Sequence, residues 1–138
     1  AAVKGNTKCN IVVWDATRAL GCEIPHWVDP ETRSKPAPVG HGNAELDANA
    51  VSAWLAVHGP DHGWQPVTGD AEAILLVEQG LPVVAAWINP NGIGHEAICV
   101  PAFNGPGLCV TQAGVRNFEN LGIRVGFGAY PYKLYWHR

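Results

Sequence analysis

Residues 80–101 read GLPVVAAWINPNGIGHEAICVP, and the fold class is decided here. Two apolar runs, 82–88 and 95–100, are of strand length and carry Val and Ile, whose branched side chains suit a pleated surface. Between them stands NPNG at 89–92. Its proline fixes one backbone angle, and its Asn-Gly tolerates the left-handed region that turns require. The pair predicts an antiparallel hairpin. Downstream, FNGPG at 103–107 predicts a second turn into a strand at 108–112, and runs at 123–127 and 132–136 predict two more strands.

Upstream the period changes to that of helices. Residues 9–20, CNIVVWDATRAL, place Val12, Val13, Ala16, Ala19 and Leu20 at helical spacing ahead of Gly21, a helix-ending residue. A second helix is predicted over 44–57, with Leu46, Ala50, Ala53, Trp54 and Val57 on one face and HGPDHG at 58–63 as its stop. A third runs over 71–79, capped by Asp70 and ended by Gly80. The stretch 22–43, punctuated by four prolines, is expected to be irregular. Helices first and a meander afterwards predict an α+β fold, N-terminal helices packed on an antiparallel sheet, in a single domain over 1–138.

Composition narrows the function classes. Hydrophobic residues make up 47% of the chain and charged ones 15%, enough apolar surface for a core of its own. A net charge of −3 with no basic run argues against nucleic acid as a partner. No apolar run approaches the roughly 20 residues that cross a bilayer, so no membrane span is expected. The sequence opens at Ala1 and contains no methionine, which suggests a secreted chain after signal-peptide removal. A monomer without a cofactor is expected. Six tryptophans suit either a core or the wall of a carbohydrate cleft.

A thiol becomes a nucleophile when it is held as thiolate, and a helix N-terminus beside an imidazole does this. Cys9 opens the first predicted helix, and His95 opens a strand directly after the glycines of GIG. Gln112 ends the next strand, where its side-chain oxygen can accept the proton on the far nitrogen of His95 and fix its tautomer. Cys9, His95 and Gln112 are therefore the candidate catalytic residues. Asn10, Asp15, Trp54 and Trp87 are candidates for substrate contact, with Trp64 a further aromatic. Glu96 alternates away from His95 and is expected on the other face. No metal site is expected: His58 and His62 are four apart, but Gly59 and Pro60 between them break the helical geometry such a pair needs.

Three segments resemble the papain-like cell-wall hydrolases of the NlpC and CHAP superfamily. KCNIVVWDATRALG at 8–21 resembles the nucleophile helix, residues 80–101 the strand, turn and histidine strand, and LCVTQAGVRNF at 108–118 the strand of the third polar residue. The resemblance implies a papain-like fold and cleavage of an amide bond in bacterial peptidoglycan, hence antibacterial action. In it Cys9 attacks the carbonyl, His95 moves the proton, and the backbone N–H of Cys9 helps to hold the oxyanion.

Four cysteines in a secreted chain predict disulfides. Helix geometry holds Cys9 roughly 18–20 Å from Cys22 at about 1.5 Å per residue. Cys99 and Cys109, which flank the predicted turn, are the expected pair. A regular hairpin cannot hold both that bond and a His95–Gln112 contact, because strand side chains alternate. Either a one-residue bulge between Cys109 and Gln112 reconciles them, or one of the two fails and Thr111 or another residue orients His95. Two rivals stand beside the cysteine reading. One is a muramidase, which needs paired carboxylates drawn from Asp15, Glu45, Asp47, Asp70 and Glu96. The other is a non-catalytic cell-wall-binding module.

Overall fold

The computed structural model of the chain describes residues 9–102, 107–113 and 118–138. Its elements run α1 Cys9–Ala19, β1 Trp27–Val28, β2 Ala44–Glu45, α2 Ala48–Val57, β3 Trp64–Val67, α3 Asp70–Glu78, β4 Val83–Trp87, β5 His95–Val100, β6 Cys109–Gln112, β7 Phe118–Gly122, α4 Ile123–Phe127 and β8 Lys133–His137. A turn of 3-10 helix, Gly59–His62, joins α2 to β3. The fold is α+β. Six antiparallel strands form one sheet in the order β3-β8-β4-β5-β6-β7, and β1 and β2 make a separate small ribbon. The turn at 103–107 lies, apart from Gly107, outside the described residues.

Strand β4 explains why residues 83–86 show no alternation. Val83 and Ala85 pack with Ala73 and Val77 of α3 and Ile123 and Phe127 of α4. Val84 and Ala86 pack with Val13 of α1 and Val51, Trp54 and Leu55 of α2. Helices thus cover both faces of the sheet, and a strand buried on both sides needs apolar residues at every position.

Three expectations change. Helix α2 begins at Ala48 rather than 44, because Asp47 caps it by accepting from the Ala50 N–H at 2.8 Å, and Ala44–Glu45 are drawn into β2. Residues 123–127 form a helical turn, not a strand, which places Ile123 and Phe127 four apart and both in the core. The buried stripe of α1 is Cys9, Asn10, Val13 and Thr17, while Leu20 is exposed. Two polar residues sit in that stripe because each finds hydrogen-bond partners there. Thr17 Oγ1 donates to Val13 O at 2.7 Å and accepts from the Ile24 N–H at 2.9 Å. Asn10 Nδ2 donates to Leu46 O at 2.8 Å and also meets His26 Nδ1.

The expected disulfide does not form: Cys9, Cys22, Cys99 and Cys109 are all buried thiols. Register is the reason. Cys99 lies opposite Val110, and Cys109 opposite Val100, so the two side chains project from opposite faces of the sheet. Burial pushes the Cys99 and Cys22 thiols up from their ordinary values, which makes them poor nucleophiles. Unfolded without reductant, the chain should titrate with a thiol reagent as four thiols. A count of two would contradict this arrangement.

Candidate active site

The N-terminus of α1 brings Cys9 against strand β5, but to Glu96 rather than to His95. Cys9 Sγ donates to Glu96 Oε2 at 3.6 Å, and from α2 Ser52 Oγ donates to Glu96 Oε1 at 2.8 Å. Glu96 is 0% exposed and Cys9 1%. Burial is the main force that lifts the Glu96 pKa well above the ordinary carboxylate range, and Cys9 adds to it. Asp47 raises it further through its negative charge, while the Ser52 hydrogen bond works the other way. The surroundings therefore favour the protonated carboxyl.

His95 points from the other face of β5. Its Nε2 and Gln112 Oε1 are 2.7 Å apart, which fixes the Nε2–H tautomer and leaves the lone pair on Nδ1. The ring packs on Phe127 with centroids 4.6 Å apart. Burial pulls its pKa down, partly offset by the Gln112 bond, so the ring favours the neutral form. Two glycines make these positions accessible. A Cβ on Gly126 would fall on the Gln112 carboxamide, and one on Gly94 on the Asn49 side chain and the Trp87 carbonyl. The sequence therefore pairs His95 with Gln112 as expected. Cys9 and His95 lie on opposite sides of the sheet.

The remaining candidates divide. Asn10 is a buried clamp that also orients His26, whose Nε2 meets Glu45 Oε2 at 2.8 Å. Asp15 is exposed and pairs with Arg18 at 3.3 Å. Trp54 is core, its Nε1 donating to Ser34 O at 2.8 Å, and Trp64 is core as well. Trp87 does line a cleft of about 740 Å³, together with Tyr130, Tyr135, Asn89, Asn91 and Ser52. Its ring stacks on Tyr130 with centroids 3.9 Å apart and planes 12° apart. Asn49 holds the rim in place by accepting from the Asn89 N–H at 2.8 Å and donating to Asn89 O and Gly92 O.

The cleft reaches the buried carboxyl in two ways. Ser52 lines it and touches Glu96 directly. Ala86, another lining residue, is the cross-strand neighbour of Glu96, so their side chains share a face. Ser52 and Tyr130 were not among the residues singled out from the sequence. Among the described residues no group of three or more His, Cys, Asp or Glu side chains is placed to hold a metal ion. No described helix is long and apolar enough to cross a membrane. No protein-family model matches the chain, and no curated protein sequence matches it.

Proposed function

We propose that this chain is a secreted peptidoglycan hydrolase of the muramidase kind, with Glu96 as the proton donor to the glycosidic oxygen and Asp47 as its ionised partner. The observation that carries this reading is the buried carboxyl of Glu96 behind an aromatic-walled cleft, in surroundings that favour its protonated form. Glycoside hydrolysis needs two carboxyl groups in unlike environments, one kept protonated and one ionised. Glu96 is buried, while Asp47 is exposed and its charge acts on Glu96. Aromatic faces and side-chain amides are what a sugar-binding cleft uses.

Glu96 has no surface of its own, so its proton leaves through Ser52. Hydroxyl hydrogens rotate, and the 2.8 Å contact serves equally when Glu96 Oε1–H donates to Ser52 Oγ. Ser52 then passes its own proton to the leaving oxygen while taking the one from Glu96. As the glycosidic bond breaks, a water adds to the anomeric carbon and gives its proton to the Asp47 carboxylate. Glu96 thus ends ionised and Asp47 protonated, and exchange with solvent resets both. The packing of α1, with Cys9 at its N-terminus, along β5 supports the papain-like arrangement implied by the sequence resemblance.

The His95–Gln112 bond favours a second reading, the cysteine amidase or endopeptidase. That chemistry needs Cys9 Sγ within hydrogen-bond reach of His95 Nδ1, across the sheet from its present partner Glu96. Digestion of peptidoglycan separates the two. The muramidase reading expects new reducing ends without new amino groups, and those reducing ends persist in C9A. New amino groups that vanish in C9A would establish the second reading and overturn the first. Neither product would mark a binding module.

A further inference from the structure

Glu96, Ala86 and Lys133 form one row across the sheet. Ala86 faces Glu96 on β5 and faces Lys133 on β8, so all three side chains leave the same face. With strands about 4.8 Å apart, the row sets Lys133 roughly 10 Å from Glu96 at the backbone, about the length of two sugar rings' spacing along the cleft floor. Lys133 is exposed and lines the cleft beside Trp87 and Tyr130. Among the described lining residues it carries the only charge, and it makes no ion pair with any described residue.

We propose that Lys133 and the Trp87–Tyr130 stack form a subsite for an amino sugar whose carboxylate is free, and that Lys133 makes the cleft choose muramic units without a stem peptide over neutral sugars. This rests on the glycan-cleaving reading of the same cleft. The stacked rings offer a flat apolar wall to a sugar face, and Asn91 offers an amide to its N-acetyl group. Neither feature distinguishes a charged sugar from a neutral one; the ammonium does.

The test measures binding without turnover, so it is separate from the question of whether Glu96 is the acid. Tryptophan fluorescence is titrated with N-acetylmuramic acid and with N-acetylglucosamine for the parent chain, K133Q and K133R. The parent should prefer the acidic sugar by about tenfold, a typical margin for one partly screened charge pair. K133R should keep that preference, and K133Q should bind both sugars equally, at the parent's affinity for the neutral one. Equal binding of the two sugars by the parent, binding of neither, or an undiminished preference in K133Q would each overturn the proposal.

Discussion

Replacing Glu96 by glutamine should cut the release of reducing ends from peptidoglycan by about 10²–10⁴-fold, the usual worth of a positioned general acid. Glutamine keeps the shape of the side chain and can still accept from Ser52, but it has no proton to give. The same variant should fold more stably than its parent on the alkaline side. Folding raises the Glu96 pKa, so the native state binds this proton more tightly than the unfolded chain does. Its contribution is fully present below the ordinary glutamate pKa and is lost as pH rises through the raised native value. E96Q does not ionise and escapes that loss. Urea midpoints should therefore separate in favour of E96Q with rising pH and converge under acid. Full activity in E96Q would sink the assignment of the acid, whatever the stability data show.

The second large effect is expected at Asp47. Asparagine caps helices as well as aspartate does, so D47N should preserve the Ala50 contact and the N-terminus of α2. What it removes is the charge. Loss of the ionised partner should reduce glycan cleavage by about 10²–10⁴-fold, with the thermal midpoint close to that of the parent. The native pKa of Glu96 should also fall, since the Asp47 charge is one of the forces that raise it. A D47N chain with parental activity would remove Asp47 from the mechanism and leave Glu96 without a second carboxylate.

How far the sequence foretells the site depends on the range of the contacts involved. Residues 83–87 and 95–100 are local strands joined by a strong turn, and both are found where their pattern puts them. Strand β3 is missed because it is short, contains Pro66, and exists through pairing with β8 some seventy residues later. The IRVGF turn reads equally well as alternation until Ile123 and Phe127 find the same core. Strand alternation is enough to set Glu96 opposite His95. It says nothing of what meets Glu96, since Cys9 is 87 residues away and Ser52 44. The Cys99–Cys109 pairing fails for a related reason. Cysteines flanking a turn bridge only in a register that puts them on one face, and that register is a property of the folded β5–β6 pair.

Everything rests on the proton that Glu96 keeps, and its titration is directly measurable. The side-chain carboxyl carbons of the glutamates can be followed by NMR against pH, with the Glu96 signal assigned by its absence in E96Q. One signal should titrate well above the others and above the ordinary carboxylate range, and it should be the one missing from E96Q. If Glu96 titrates together with the exposed glutamates, its carboxyl is not held protonated and the account of the site is wrong.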